Sequence, residues 1–376
     1  MLSSGIYIHI PFCRKKCLYC DFFSAGSVNA DWENLIDSLK REFLLRMDEL
    51  TSPPDTLYIG GGTPSLIPKE YFEQLAEEIM TRYKDSIKEF TIEVNPDDVN
   101  EEMCRIWKKC GVTRISMGIQ SFDDDELRKI GRRHDSAKAI EAYKILRRYF
   151  DNISIDLMFG LPGQTINSWE ETIYSALRLK PQHLSAYTLM FEEKTPMTIL
   201  RNTGRMSFPS DEENEEMWRR LSAILLKEGY IQYEISNYSK PGYESHHNGK
   251  YWNQSPYLGI GPSAHSYDGE KTRRSNPAEL RKYLSFYSDM NGATPFYREE
   301  ILTEEELREE FILTRMRTRF GINFKEYRDR FGEKALSVLK QNIRQINRNL
   351  IILNEENIRV NYDNSKENLG KKIRQS

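Results

Sequence analysis

The chain has 376 residues, with 54 Lys and Arg against 57 Asp and Glu and a formal net charge of −3. That balance argues against a nucleic-acid reader, and no apolar run reaches the ~18 residues that a membrane-spanning helix needs. The first residues lack a basic start and a small-residue cleavage site, so no secretory signal is expected, and a cytoplasmic setting with reduced thiols follows.

Strand and helix signals alternate from the start. Ile6–Ile10 reads as a first strand, and Cys13, Cys17 and Cys20 follow it directly in the spacing C-x3-C-x2-C. "DWENLIDSLKREFLLRM" then spaces its apolar residues at three and four, as a helix does, with Asp31 as its cap. A second strand, 56–60, runs into Gly60-Gly61-Gly62-Thr63-Pro64. Further strands are expected at 90–94, 114–119, 153–159 and 184–190, each β-branched and apolar. Helical segments separate them, with Asn100, Ser136 and Ser168 as expected caps. Cys104 and Cys110 sit in one such segment; six helical steps turn the chain by ~240°, so the two face different ways and read as ordinary semi-buried cysteines.

Six strands joined by helices imply a parallel sheet. The expected fold class is α/β, a partial (β/α)6 TIM-like barrel, with an open doubly wound sheet as the alternative. In such barrels the loops after the strands build the site. Those loops gather the three cysteines, the glycine turn, Glu93 and Asn95, Gln120, and Gly160-Leu161-Pro162-Gly163; Asp156 lies within the fifth strand.

Beyond residue 200 the pattern changes. Residues 210–228 read as a helix, and 242–267 are rich in Gly, His, Tyr and Trp. Two charged helical segments follow, then a hairpin signal over 350–362 with its turn at Asn354–Asn357. Helix, helix and hairpin suggest a smaller winged-helix-like domain that packs or covers rather than reads DNA. The expected division is 1–235 for the barrel, 236–295 for a connecting region and 296–376 for the terminal domain. The polar end, 363–376, is expected to fray.

Three thiolates on one short loop suit a soft metal. Zinc would need a fourth ligand, for which His9 is the candidate, although it lies inside a strand. A 4Fe–4S cluster held by three cysteines would keep one iron open for a small ligand. The glycine turn lets backbone approach such a ligand, and Glu93 and Asp156 can accept hydrogen bonds from an ammonium or from ribose hydroxyls.

With these residues the chain resembles the radical S-adenosylmethionine superfamily. A narrower resemblance covers nearly the whole chain. "IYIHIPFCRKKCLYCDF", "YIGGGTPSLI", "IEVNPDD", "RISMGIQSFDDDELRKIGRRH", "ISIDLMFGLPGQT" and "YLGIGPSAHSY" are similar to the oxygen-independent coproporphyrinogen III oxidase family. The resemblance implies a 4Fe–4S cluster on Cys13, Cys17 and Cys20, with adenosylmethionine in place of a fourth cysteine. It assigns Tyr7, Gly61 and Glu93 to that adenosylmethionine. Gly62, Thr63, Gln120, Arg132 and Asp156 match positions that in the oxidases hold adenosylmethionine, including a second molecule.

Two departures separate the chain from the oxidases. Phe22 stands where they carry a further cysteine, and "HNGKYW" (247–252) matches an H-N-x-x-Y-W pattern that marks a heme-chaperone branch of the family. That branch implies a protein that binds heme and passes it to heme-dependent respiratory proteins, as a monomer or a cluster-dependent dimer. His247 is the expected heme ligand, with His246 beside it, because imidazole is a usual axial ligand and Tyr251 and Trp252 offer flat apolar faces. His265 in "PSAHSY" has an even choice between a cofactor role and packing. The alternative activity is anaerobic oxidative decarboxylation of coproporphyrinogen propionates.

Overall fold

In the computed structural model, residues 3–28, 30–288, 296–347 and 351–361 are described. Six strands cross the sheet in chain order: β1 (Ser4–Ile10), β2 (Pro54–Gly61), β3 (Glu89–Val94), β4 (Arg114–Gln120), β5 (Asn152–Phe159) and β6 (His183–Thr188). Each neighbouring pair is parallel. Every second strand residue is apolar and buried in the core shared with the helices, as at Ile6, Ile8 and Ile10 or Ile153, Ile155 and Leu157, and the alternate positions face the barrel interior. The sixth strand ends two residues before the expected Met190, which is 63% exposed.

The crossovers are α1 (Trp32–Arg46), α2 (Lys69–Tyr83), α3 (Glu101–Lys109), the short α4 (Asp124–Lys129), α5 (Ser136–Leu146) and α6 (Ile166–Leu179). Asp31 and Asn100 cap as expected. The other two caps lie upstream of the expected residues. Asp135 caps α5, and Thr165 caps α6 with Ser168 as its partner in a capping box. Either Asp or Thr satisfies the orphan N–H groups as well as Ser does, so the local pattern does not choose between neighbours.

The barrel is not closed. After β6 come α7 (Pro196–Asn202) and α8 (Asp211–Lys227), then β7 (Ile231–Gln232) and β8 (Asn237–Ser239), which add antiparallel strands at the β6 edge. Next is α9 (His246–Asn253), followed by β9 (Tyr257–Ile260), which pairs parallel to β1. Strands β10 (His265–Tyr267), β11 (Thr272–Ser275) and β12 (Arg298–Ile301) continue antiparallel from it, giving twelve strands in one sheet. Residues 257–275 thus extend the barrel sheet. Helix α10 (Leu280–Ser288) packs back on α1.

The remaining elements are α11 (Glu304–Met316), β13 (Ile322–Asn323), α12 (Phe324–Ile343), β14 (Ile351–Leu353) and β15 (Asn357–Val360). Helix α12 is broken at Gly332, whose φ of 85° only glycine adopts freely. These elements carry their own apolar core, in which Phe311, Tyr327, Leu336 and Ile358 meet. The hairpin is where the sequence put it, and a short third strand, β13, completes the wing. The polar end from 363 onward lies outside the described residues.

Candidate functional site

The three cysteines lie on the loop that leaves the C-terminal end of β1. A two-residue pairing of Phe12–Cys13 with Ala25–Gly26 closes that loop. Each thiol is partly exposed and none is in a disulfide. Cys20 feels both Cys17 and Cys13, so the three sulfurs share one neighbourhood. Among the described residues no group of three or more His, Cys, Asp or Glu side chains converges to hold a single ion. Ligands to different irons of a cluster need not converge in that way. His9 is not free to complete a zinc site: its Nε2 donates to the Phe23 carbonyl at 3.0 Å, and the Tyr7 hydroxyl donates to its Nδ1 at 3.0 Å.

Side chains from neighbouring loops donate to two of the sulfurs. Thr63 Oγ1 lies 3.3 Å from Cys13 Sγ, and Arg132 Nη1 lies 3.6 Å from Cys17 Sγ. Arg132 also donates to the Gly118 carbonyl. Its neighbour Arg133 turns away to the ion pair with Asp98 at 3.2 Å, so the two adjacent arginines have different tasks.

The glycine turn fits against this loop. Gly61 has φ 111°, and a Cβ there would lie 2.7 Å from the His9 ring. A Cβ on Gly62 would lie 2.8 Å from the Phe12 carbonyl and 3.1 Å from Cys13 Sγ. The end of β2 therefore approaches the thiol loop only because side chains are missing there.

Inside the barrel, alternate strand positions meet as a polar lining. Tyr58 donates to Glu93 at 2.8 Å, and the Gly61 N–H reaches the other carboxylate oxygen at 3.2 Å. Burial still pushes Glu93 up to about 7, against these hydrogen bonds. Asp156 accepts from Ser116 and Ser154, and burial raises it too. Gln120 ends β4 with a positive φ of 75°, beside a register shift. A non-glycine residue held there is strained, and such residues gather at binding sites. His265 is exposed at the edge and within electrostatic reach of His9.

The structure thus sets Gly62, Thr63 and Arg132 against the cysteine loop, with Gly61, Glu93 and Gln120 at the same end of the barrel, whereas Tyr7 and Asp156 lie deeper, at mid-strand, Tyr7 with its ring 6.4 Å from that of His247. His247 lies elsewhere. Helix α9 lies under the N-terminal ends of the strands, where the first residue of β3, Glu89, accepts from the backbone N–H of His246 and His247 at 3.0 and 2.9 Å. A carboxylate at a helix N-terminus is favoured. His247 is 1% exposed, and both ring nitrogens are engaged: Nδ1 with Thr56 Oγ1 at 2.8 Å, Nε2 with Tyr251 Oη at 3.0 Å. Burial pushes its pKa down to about 3. In this arrangement neither nitrogen is available to an iron. Sequence reasoning missed Tyr58, which links the two ends by bonding Glu93 and stacking on His247 with centroids 5.0 Å apart. Its inward position, two residues from Thr56 and from Gly60, was the available signal.

Comparison with known proteins bears on this geometry. Residues 7–175 match the radical SAM superfamily, and residues 302–361 match the HemN C-terminal domain. The chain is 36% identical to the heme chaperone HemW of Bacillus subtilis (strain 168) over 357 residues, covering 93% of each protein. The chain belongs to the HemW family of radical SAM proteins. It is 32% identical to HemW of Lactococcus lactis subsp. lactis (strain IL1403), covering 90% of each. The solved structure of coproporphyrinogen III oxidase (HemN) from Escherichia coli superposes with a TM-score of 0.76 over 96% of this chain and 86% of that one, at 21% identity, a likeness of fold.

The radical SAM superfamily implies a 4Fe–4S cluster and S-adenosylmethionine. The donor set here fits them: three unpaired thiols on one loop, a backbone cradle that a Cβ would fill, and side-chain donors aimed at two of the sulfurs. Among the described residues no helix is long and apolar enough to cross a membrane.

Proposed function

We propose that this protein is a cytoplasmic heme chaperone, which binds heme and delivers it to respiratory heme proteins. The observation that carries the reading is near full-length similarity to proteins named heme chaperone HemW, at 36% identity over 93% of the chain. Phe22, 64% exposed, in place of the oxidases' further cysteine supports it.

Cys13, Cys17 and Cys20 would hold the cluster, which when bound supplies one-electron reducing power and an open iron for adenosylmethionine. Tyr7, Gly61 and Glu93 would orient that molecule: the Glu93 carboxylate suits its ammonium, and the missing Cβ of Gly61 admits it. Thr63 and Arg132 would stabilise electron-rich sulfurs by donating to them. Gln120, Asp156 and Gly62 complete the lining. Occupancy of this end would control assembly, as monomer or dimer, and release of cargo.

The test is a hemin titration of the anaerobically reconstituted protein, run beside an anaerobic incubation with coproporphyrinogen III, adenosylmethionine and reductant. A saturable Soret change with no decarboxylated product is expected. Tricarboxylic or protoporphyrin products without heme binding would replace the chaperone by the oxidase.

A further inference from the structure

Helix α9 also borders a cleft next to its contact with the barrel, with Tyr251, one turn on from His247, in its wall. The cleft, of about 300 Å³, opens between α9, strands β9 to β11 and helix α11. Its walls include Trp252, Tyr257 and Tyr267, with Leu313 on the α11 side. Two guanidinium groups line it, Arg273 from β11 and Arg317 from the end of α11. Arg273 pairs with Glu310 at 2.6 Å, with both side chains partly exposed. Two partly exposed aromatic rings, Trp252 and Tyr257, beside two cations are the complement of a flat apolar ring with carboxylates on one edge. A cleft of this size, near the lower end of the ~300–1,000 Å³ usual for ligand sites, covers part of a porphyrin and leaves an edge outside. A carrier that hands its cargo on needs that exposed edge.

We infer that the heme cargo sits in this cleft, its ring against Trp252 and Tyr257 and its propionates on Arg273 and Arg317, and that His247 is not the iron ligand. This rests on the heme-chaperone reading above. His247 is sealed between Thr56 and Tyr251 on the barrel side. Tyr251 lines the cleft and meets Tyr257 edge to face, with centroids 4.9 Å apart. His247 therefore acts as a positioning residue: it fixes Tyr251, which sets the cleft wall. Glu310 already balances Arg273, and Arg317 lies within electrostatic reach of Glu234, so the propionates would share or displace these carboxylates. Affinity then comes from the ring and the carboxylates rather than from an iron–imidazole bond.

The experiment uses the full-length, cluster-loaded protein and four probes: hemin, iron-free protoporphyrin IX, heme dimethyl ester and added salt. Protoporphyrin IX should compete with hemin within about tenfold, and the dimethyl ester should bind at least about tenfold more weakly, the size of a lost charge-assisted contact. Trp252→Ala and the double variant Arg273→Gln/Arg317→Gln should each weaken hemin binding about tenfold or more, with Trp252→Phe restoring most of it. His247→Gln should leave the iron's electron paramagnetic resonance signature unchanged. Iron content and a thermal melt check that each variant is folded. If wild type binds hemin but the cleft variants bind equally well, or if His247→Gln alone abolishes binding and alters the iron signature, the cleft assignment fails while the chaperone reading stands. If wild type binds no hemin, the chaperone reading itself fails.

Discussion

The Tyr58 hydroxyl donates to Glu93 across 2.8 Å, and the same tyrosine ring stacks on His247 at 5.0 Å. One side chain therefore touches both the cysteine end of the barrel and the helix that plugs its other end. The hydrogen bond favours the ionised form of a carboxylate that burial pushes up to about 7. An ammonium that binds Glu93 must meet it ionised. Adenosylmethionine affinity should therefore rise with pH up to about 7, by about tenfold per unit below it, flatten there, and decline above about 8, where the ligand's own α-amino group loses its proton. In Tyr58→Phe the plateau should begin at higher pH. Equilibrium dialysis from pH 5.5 to 8.5 measures this, and a flat profile would exclude Glu93 as the partner.

The same carboxylate has a stability consequence, of the sign opposite to that of a salt-bridged acid. Its folded pKa lies above the ordinary 4.5, so the folded state holds the proton more tightly than the unfolded chain. Its contribution is fully present below about 4.5 and is lost as pH rises through about 7. Buried His247, held down near 3, runs the other way, losing stability as pH falls below about 6.5. Only a difference isolates Glu93. Relative to Glu93→Gln, the apoprotein should lose about 1–3 kcal/mol between pH 4.5 and 7. Urea melts at both pH values would show it, and parallel pH curves for the two proteins would refute it.

His247→Ala should cost about 2–4 kcal/mol, because it leaves a cavity and strips partners from two buried hydroxyls, on Thr56 and Tyr251. His247→Gln, which can reach one of them, should cost less than half as much. A surface ligand would show neither loss. Thermal melts of the apoprotein decide, and a cost under about 0.5 kcal/mol for the alanine variant would mean that the imidazole is not embedded as described.

The barrel was legible because its information is local. Ile6–Ile10 and Ile153–Phe159 announce strands by β-branched runs, and C-x3-C-x2-C sets three thiols on one loop whatever surrounds it. The position of α9 was not legible. "HNGKYW" gives an apolar face and a histidine, but Glu89, which anchors the helix, lies more than 150 residues earlier. Nothing in either segment announces the other. For the same reason His247 reads as an available ligand in the sequence and is a buried strut in the fold. The edge strands β10 to β12 were missed because each is only three or four residues long.

Thr63→Val should move the cluster midpoint potential to a more negative value without reducing iron content. Hydrogen bonds to cluster sulfurs stabilise the reduced, more negative state, and Thr63 supplies one at 3.3 Å from Cys13 Sγ. Valine keeps the shape, so packing against the glycine turn survives. Cys13→Ala, by contrast, should lose the cluster's visible absorbance altogether. A Thr63→Val potential equal to wild type in an anaerobic redox titration would show that the hydroxyl does not reach the loaded cluster.

The segment "YLGIGPSAHSY" owes its place to a buried charge pair. Arg46 and Glu42 on α1 meet at 2.7 Å with both side chains fully buried. Arg46 donates to the Gly259 carbonyl and to Ser266 Oγ, each at 3.0 Å. Glu42 accepts from the Gly261 N–H at 2.8 Å, from Asn276 at 2.6 Å and from the Tyr283 hydroxyl at 2.7 Å. The pair therefore clamps β9 and β10 to the barrel beside β1, the strand that delivers the cysteine loop. Arg46 also holds Glu49 at 3.0 Å, so it is the removal of Arg46 that strands a charge, that of Glu42, in a dry interior. Arg46→Met should cost about 3–5 kcal/mol, whereas the double variant Arg46→Met/Glu42→Gln, which removes both charges, should recover part of that loss. Because β9 pairs directly with β1, the single variant should also hold its cluster less well, losing iron faster on exposure to a chelator. The two readouts should track each other: a destabilised Arg46→Met protein with wild-type iron retention would show that the clamp supports the sheet edge alone and not the loop beyond β1.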